Sequence, residues 1–264
     1  MKLSILGCGW LGLPLGAELV RRGYSVRGSV THPEKLSALA QAGIEGYRLE
    51  LSPTLTGDTE GFFGADALVI TLPPKRREAD VETRYPAQIA AILAATPENT
   101  QIIFTGSTSV YPDVNRTVTE TDAGGEVSSS GHAILAAEAL LRPRSATVLR
   151  LAGLYGYDRQ PGRRLAGRDV AGGDTPVNLV HRDDVVNALL GVIEDGIRNA
   201  TFNVCAPQHP TRREVYTRQA ERLGLAPPHF IGPHLQGYKL VSSETLEAHL
   251  GFTFLHPDPL ADAP

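Results

Sequence analysis

Residues 7–12 read Gly7-Cys8-Gly9-Trp10-Leu11-Gly12, a glycine-rich turn directly after the short apolar segment 2–6. The segment 13–20 that follows the turn has the composition of a helix. A strand, a Gly-x-Gly-x-x-Gly turn and a helix, in this order, hold the pyrophosphate of a dinucleotide. The first glycine permits the tight turn, the second lets the backbone approach the phosphates, and the third lets helix and strand pack closely. The sequence therefore predicts that residues 7–12 bind a dinucleotide.

The overall composition excludes several other classes of protein. The chain has 264 residues, of which 42% are hydrophobic, enough for one large α/β unit or one domain with a small appendage. Its net charge of −4 lacks the basic signature of nucleic-acid binding. No stretch approaches the roughly 18 apolar residues of a membrane helix. We therefore expect neither nucleic acid nor a membrane as a partner.

Cysteine and histidine usage indicates the compartment and the metal content. Cys8 and Cys205 are the two cysteines of the chain, and isolated thiols without a disulfide framework are typical of a reducing compartment. The apolar run before Cys8 covers residues 3–6, shorter than the roughly 7–15 residues of an export segment. The pattern favours a cytoplasmic protein. The eight histidines are scattered without the short spacing of metal ligands, so no metal is expected.

Strand and helix patterns alternate along most of the chain. The segment 67–72 is a continuous apolar run, typical of a strand buried on both faces. Thr31 and Glu34 have the spacing of a capping box that opens the second helix. Strands are predicted at 2–6, 24–30, 46–50, 67–72, 101–105, 147–151 and 201–204, and helices at 13–20, 32–41, 82–95, 133–141 and 183–194. This alternation predicts an α/β fold with a doubly wound parallel sheet.

A change of composition indicates a second, smaller region. Glycine, proline, arginine and aspartate become frequent between residues 153 and 176, and prolines are frequent again after residue 205. We interpret 1–151 with 177–204 as the dinucleotide-binding domain. The remaining segments, 152–176 with 205–264, are interpreted as a small lobe on the substrate side.

Five later segments resemble, in order, blocks of the extended short-chain dehydrogenase/reductase family, which includes NAD-dependent sugar-nucleotide epimerases and dehydratases. They are FTGSTSVY at 104–111, RLAGLYG at 150–156, NLVHRDDV at 178–185, FNV at 202–204 and the segment 240–252. The resemblance implies a Rossmann-like doubly wound sheet with a small C-terminal substrate lobe, an NAD(P) cofactor, a small-molecule substrate and a homodimer. Ser107, four residues before Tyr111, matches the family's serine or threonine that hydrogen-bonds a substrate oxygen.

The chain departs from this family at the catalytic Tyr-x-x-x-Lys pair. Counting back from Ala137-Glu138, Ser130 occupies the tyrosine position and Ile134 the lysine position. In active members the lysine lowers the tyrosine pKa, so that the phenol exchanges a proton with the substrate. Neither serine nor isoleucine performs that task. The chain therefore resembles an atypical branch that keeps the nucleotide fold and lacks the pair.

Four residues are candidates to replace the missing proton-transfer group. His132 lies two residues from Ser130, and histidine is the side chain that most often transfers protons in catalysis. Tyr111, Tyr155 and His181 lie in blocks that approach the cofactor end in the family. Each has a structural alternative: packing for the tyrosines, a loop contact for His181 and a solvated helix start for His132.

The end of the second predicted strand bears on the choice of dinucleotide. Segment 27–32 reads RGSVTH and carries no acid, whereas NAD-preferring sites place an acid there to bind the ribose hydroxyls. Glu34 lies close, and the capping box accounts for it. Ser29, Thr31 and Lys35 are placed to hold a 2′-phosphate, so the sequence favours NADP over NAD.

Two further groups of residues are assigned from the resemblance. Leu72-Pro73-Pro74 follows the fourth strand, where the family lays backbone near the adenosine ribose. Arg163 and Arg164 lie in the predicted lobe, where such arginines clamp a phosphate or carboxylate of an anionic substrate. A solvated surface is the alternative for these arginines.

Two functions remain open at this stage, and a weaker third is that the glycine turn binds another adenine nucleotide. The first is an NAD(P)-dependent oxidoreductase or an epimerase/dehydratase-like enzyme with an atypical active site. The second is a non-catalytic NAD(P)-binding sensor or scaffold, which the residues at positions 130 and 134 favour.

Overall fold

The computed structural model of the chain describes residues 1–52, 54–59, 61–75 and 78–261. Its α-helices are α1 (Gly12–Arg21), α2 (Leu36–Gln41), α3 (Val81–Ala95), α4 (Ser129–Leu141), α5 (Pro161–Leu165), α6 (Arg182–Glu194), α7 (Arg212–Arg222) and α8 (Glu244–Leu250). Its strands are β1 (Lys2–Leu6), β2 (Ser25–Val30), β3 (Glu45–Leu51), β4 (Leu55–Gly57), β5 (Ala67–Ile70), β6 (Gln101–Ser107), β7 (Thr117–Val118), β8 (Thr147–Leu151), β9 (Gly153–Tyr155), β10 (Asp169–Ala171), β11 (Leu179–His181), β12 (Thr201–Val204), β13 (His229–Ile231) and β14 (Leu240–Val241).

Eight of these strands form one sheet in the order β12-β8-β6-β5-β1-β2-β3-β4. Strand β1 is parallel to both of its neighbours, with Leu3 opposite Val26 on β2 and Ala67 on β5. The pairs β2–β3 and β5–β6 are also parallel, and the short β4 is antiparallel to its neighbour β3. From β1 the chain winds outward to both edges, so the predicted α/β fold with a doubly wound, mainly parallel sheet is confirmed.

The central strands are apolar because both of their faces are covered. All four residues of β5 and four of the five residues of β1 are buried. Helix α1 buries Leu15 and Leu19 completely, on the same face as Gly12 and Gly16. Each fully buried leucine or isoleucine stabilises the fold by roughly 1.5–3 kcal/mol relative to an exposed one.

Several predicted elements agree with the structure, and two helix starts differ. The strands at 2–6, 147–151 and 201–204 have the predicted bounds. Helix α4 begins at Ser129 rather than 133, because the Ser128 side chain accepts the N–H of Gly131 and caps the helix there. The predicted capping box of Thr31 and Glu34 is wrong. A 3₁₀ turn, Pro33–Lys35, precedes α2 with His32 as its N-cap, since proline favours the first helical position.

The contacts divide the chain into two compact units. The first unit comprises Met1–Val110, Val127–Arg150 and Leu189–Thr201; the second comprises Tyr111–Glu126, Leu151–Ala188 and the chain from Phe202 onward. This division places 111–126 and 177–188 in the second unit, whereas the sequence-based boundaries place both segments in the dinucleotide-binding domain. The functional boundaries stay a prediction.

The second unit contains three two-stranded parallel pairs, β9–β11, β10–β13 and β7–β14. Helix α5 packs on α7 through Gly162, whose N–H donates to the Gln219 side-chain oxygen at 2.8 Å. Within the described part of the chain, no helix combines the length and the hydropathy needed to cross a bilayer.

Gly12 determines how closely α1 packs on β1. A Cβ at this position would lie 2.7 Å from the Gly7 carbonyl oxygen and 3.0 Å from Ile5 Cγ2. We expect Gly12→Ala to lower the free energy of unfolding by about 1–3 kcal/mol in urea denaturation followed by circular dichroism.

Gly9→Ala is the matched control, because a Cβ there meets nothing nearer than 4.0 Å. Its free energy of unfolding should stay within about 0.5 kcal/mol of the parent. Equal destabilisation by the two substitutions would contradict the packing role of Gly12.

Candidate dinucleotide and active site

The glycine turn lies at the carboxyl end of β1, next to the carboxyl end of β5. This is the point in the sheet where the strand order reverses, and ligands of open α/β sheets bind outside the strand ends there. Helix α1 begins at Gly12, immediately after the turn. The partial positive charge of its N-terminus therefore faces the same edge of the sheet.

The three glycines of the turn have three different surroundings. Gly7 has a φ of +98°, and a Cβ there would lie 2.9 Å from Leu72 Cδ2. Gly9 is exposed and borders open space, although its N–H donates to the Gly7 carbonyl at 2.7 Å. Gly12 packs on β1 as described above. These surroundings agree with a turn, an accessible backbone surface and a packing contact; that the turn binds a dinucleotide stays a prediction.

Ser29 contacts the turn from β2, and the Cys8 side chain of the turn itself is buried. The Ser29 hydroxyl accepts the N–H of Gly7 at 2.9 Å, and the Ser29 carbonyl accepts the N–H of Cys8 at 2.7 Å. Ser29 is only 3% exposed, so its hydroxyl holds the turn on β2. The Cys8 thiol is also buried, and burial raises its pKa to about 12. Leu11 is buried as well, while Trp10 is half-buried.

The segment after β2 presents polar side chains to solvent. Thr31 and Lys35 are both exposed. Glu34 is exposed too, with its carboxylate 3.8 Å from the His32 ring. Arg27 points elsewhere, because its guanidinium contacts Glu45 at 3.3 Å and donates to the Gly61 carbonyl. Arg27 is therefore engaged elsewhere, and contact between Lys35 and a ligand phosphate stays a prediction.

The segment after β5 is tied to the glycine turn. The Thr71 hydroxyl donates to the Gly7 carbonyl at 2.7 Å. The Tyr85 hydroxyl donates to the Leu72 carbonyl at 2.7 Å, and burial raises the pKa of this phenol. Pro73 is exposed and Pro74 is half-buried. Hydrogen bonds therefore hold the segment after β5 in place next to the glycine turn, and residues 72–74 lie at the same edge of the sheet.

Two serine hydroxyls lie at the carboxyl end of β6. Ser107 Oγ accepts the N–H of Ser109 at 3.2 Å. Ser109 Oγ is buried and has no hydrogen-bond partner among the described residues. Buried polar atoms are normally paired, so an orphaned hydroxyl indicates a place where a ligand or water binds. Sequence reasoning singled out Ser107 and missed Ser109, although the alternation Ser-Thr-Ser was visible.

Helix α4 approaches this pair of serines closely. A Cβ at Gly131 would lie 2.5 Å from the Ser109 carbonyl oxygen. Ser130 is 7% exposed, with its hydroxyl 3.0 Å from that of Ser128, and Ile134 is completely buried. None of the eight tyrosines of the sequence is followed four residues later by a lysine.

A buried ion pair lies one turn further along α4. Glu138 and Arg150 form a bidentate contact, with Nη2–Oε2 at 2.7 Å and Nε–Oε1 at 3.1 Å. Their side chains are 10% and 8% exposed. Removing one partner of such a pair typically costs 3–5 kcal/mol, because the other charge stays buried. This pair joins α4 to β8 and positions the helix.

The remaining candidates lie in different surroundings. Tyr111, in the second unit, is 1% exposed, and its hydroxyl donates to Asn203 Oδ1 at 2.6 Å. This contact favours the packing role for Tyr111. His132 is exposed on α4, and Arg163 and Arg164 are exposed on α5. Their catalytic and substrate roles stay predictions.

Solved structures that are similar in shape define the class of fold. A short-chain dehydrogenase/reductase superfamily protein from Agrobacterium tumefaciens with bound NAD has a TM-score of 0.77 at 19% identity, over 96% of this chain and 92% of its own. A UDP-glucose 4-epimerase from Thermotoga maritima has a TM-score of 0.79 at 20% identity, over 97% and 94%. The chain therefore has the Rossmann-like fold of these proteins.

Comparison of sequences gives the family. No model of a known protein family matches the chain. Protein YeeZ of Escherichia coli K12 is 39% identical over 267 aligned positions, which cover 98% of this chain and 97% of YeeZ. The chain belongs to the family of YeeZ.

The buried position of Cys8 has a chemical consequence. Burial raises the pKa of this thiol to about 12, so far less of it is ionised at pH 8 than of a free cysteine. Burial also raises the pKa of Cys205. We expect Ellman's reagent at pH 8 to titrate almost no thiol in the native chain.

The control is the same titration in denaturant, where both cysteines of the sequence should react. Rapid reaction of one thiol in the native protein would contradict the buried position of the Cys8 side chain.

Proposed function

We propose that the chain is an NAD(P)-dependent oxidoreductase or epimerase/dehydratase-like enzyme that acts on a small molecule without the Tyr-x-x-x-Lys pair. The observation that carries the proposal is the open space above Gly9, at the reversal point of the sheet and before the N-terminus of α1. Similar structures with bound NAD, such as the A. tumefaciens protein, support it.

In this proposal, residues 7–12 hold the diphosphate of the dinucleotide. Ser29 and Thr71 are positioning residues, because their hydroxyls hold Gly7 from β2 and β5. Leu72, Pro73 and Pro74 border the adenosine ribose. The cofactor, when bound, supplies or accepts the hydride.

Ser107 and Ser109 are the groups we assign to a substrate oxygen. Ser107 occupies the family position for this contact, and the orphaned hydroxyl of Ser109 gains a partner when a polar ligand binds. A serine hydroxyl is too weak an acid to replace the phenol, so these residues orient and polarise the substrate. His132 is the candidate in the first unit for the proton transfer.

The second candidate function is a non-catalytic NAD(P)-binding sensor or scaffold. The completely buried Ile134 at the lysine position favours it, because an uncharged core residue cannot activate an acid. Cofactor binding is common to the two functions, and turnover separates them.

We infer that NADP is preferred over NAD. Strand β2 ends at Val30 without an acid, and Thr31 and Lys35 are exposed beyond it. Glu34 is not part of a capping box, and its carboxylate is exposed beside these residues. The preference for NADP therefore requires that Lys35 attract the 2′-phosphate more strongly than Glu34 repels it. The expected homodimer and cytoplasmic location stay predictions.

Calorimetric titration of the full chain with NADPH and NADH tests cofactor binding. We expect both to bind, NADPH more tightly, and Gly9→Ala to weaken both by at least about tenfold without lowering the thermal midpoint, because a Cβ obstructs the phosphates. Gly64→Ala is the matched control: its Cβ would also lie in uncrowded space, 3.7 Å from the nearest atom. If neither coenzyme binds, the proposed function is refuted.

Lys35→Glu tests the cofactor preference in the same titration. Reversing this charge should weaken NADPH binding by about tenfold and leave NADH within about twofold, since only NADPH carries the 2′-phosphate. Lys2→Glu makes the same charge change at the start of β1 and serves as the control. An equal effect on the two coenzymes would show that Lys35 does not contact the 2′-phosphate.

Turnover is tested by following NADPH absorbance with a panel of carbonyl compounds and sugar nucleotides. If a substrate is found, Ser107→Ala should lower kcat/KM by about a hundredfold, the scale for losing a donor to a developing oxyanion. Ser25→Ala, at an exposed residue that starts β2, should leave it unchanged. Tight cofactor binding without turnover of any compound would favour the sensor.

A further inference from the structure

Two histidines and one carboxylate converge in the second unit from segments far apart in the sequence. His181 ends β11, Asp183 lies in the first turn of α6, and His256 follows α8. One side-chain donor atom of each residue lies within 4.8 Å of the others. The two imidazole rings have centroids 3.7 Å apart and are tilted by 37°. The sequence predicts no metal site, because 75 positions separate His181 from His256 and no short spacing signals the group.

The position of His256 is set by the neighbouring Asp184. This carboxylate is completely buried. It accepts the N–H of Leu255 at 2.6 Å and that of His256 at 3.1 Å. The backbone that carries His256 is therefore fixed beside His181 by contacts that need no metal.

Asp183 is oriented by Tyr157. The Tyr157 hydroxyl donates to the Asp183 carboxylate at 2.8 Å, and the backbone N–H of Asp183 donates to His181 Nδ1 at 3.3 Å. Tyr157 has a φ of +55°, which costs a bulky residue roughly 1–2 kcal/mol. The preceding Gly156 has a φ of +115°, and a Cβ there would overlap the His181 ring. The backbone directly after β9 is thus shaped to admit this ring and to bring Tyr157 to the carboxylate.

One positive charge beside Asp183 belongs to Arg182. The Arg182 guanidinium stacks on the Tyr157 ring at 3.6 Å from its centroid. Its Nε atom lies 3.9 Å from Asp183 Oδ1. A partly exposed ion pair at this separation contributes about 1 kcal/mol or less. A divalent cation in direct contact with the carboxylate has a stronger favourable interaction with it than Arg182 has.

We propose that His181, Asp183 and His256 bind one divalent transition-metal ion. Two imidazoles and one carboxylate suit zinc and its neighbours rather than magnesium or calcium. Tetrahedral bonds of 2.0–2.1 Å place ligand atoms about 3.3 Å apart, so side-chain movements of about 1 Å close the group. The lone pair of His181 Nδ1 then exchanges the N–H of Asp183 for the metal. Three protein ligands leave one coordination position for water or an oxygen of a small molecule. Tyr157 hydrogen-bonds the ligating carboxylate, as outer residues of metal sites commonly do.

The test uses the full chain, stripped with a chelator and desalted. Calorimetric titration with Zn²⁺ should show one ion per chain with a Kd below about 10 μM. Titration with Co²⁺ should give the visible absorption of a four- or five-coordinate ion, which reports the coordination geometry independently of any activity.

Asp183→Asn and His256→Gln should each weaken Zn²⁺ binding by at least about tenfold. The matched controls are Asp169→Asn and His229→Gln, at an exposed His–Asp pair with a 3.5 Å separation. This pair belongs to no group of three donors among the described residues, and its variants should bind as the parent does. Thermal midpoints measured with chelator show whether each variant is folded.

Absence of saturable Zn²⁺ binding up to about 100 μM in the parent would overturn the proposal. Binding that Asp183→Asn and His256→Gln leave unchanged would overturn it equally. If either variant fails to fold, the Co²⁺ spectrum of the parent decides: a tetrahedral or five-coordinate spectrum supports the site, and the spectrum of hexaaqua Co²⁺ alone refutes it.

Discussion

The close approach of α1 to β1 is the constraint on which the candidate cofactor site depends. Gly12 allows this approach, since any side chain there would press on the Gly7 carbonyl. The approach brings the N-terminus of α1 to the carboxyl end of β1. Ser29 from β2 and Thr71 from the end of β5 then hold Gly7 from both sides. The backbone of Gly9 stays exposed near the N-terminus of α1, whose partial positive charge favours anions.

The same arrangement explains why the first unit was largely predictable from the sequence. Strands such as β5 are buried on both faces and therefore appear as continuous apolar runs. Gly7 and Gly12 meet local requirements of the turn that a side chain would violate, so the glycine spacing was informative. The starts of α2 and α4 were less predictable. Pro33 favours a 3₁₀ turn before α2, and the Ser128 side chain caps α4 earlier than its apolar pattern indicates.

The roles of individual polar residues depended on packing that the sequence does not display. The Ser29 hydroxyl is chemically suited to bind a phosphate, but it faces inward and accepts the N–H of Gly7. Tyr111 has the chemistry of an acid, yet its hydroxyl is paired with Asn203 in the core. Ser109 became notable only when its hydroxyl was found buried without a partner in the described structure. His181, Asp183 and His256 meet through a tertiary contact made by Asp184, for which no local pattern exists.

Native mass spectrometry of the intact chain tests most directly whether a dinucleotide occupies the turn at residues 7–12. Freshly purified protein, or protein supplied with NADPH or NADH, should show a complex with one coenzyme per chain. The mass identifies the coenzyme. A spectrum that contains only the free chain, with either coenzyme present at millimolar concentration, would contradict the central claim.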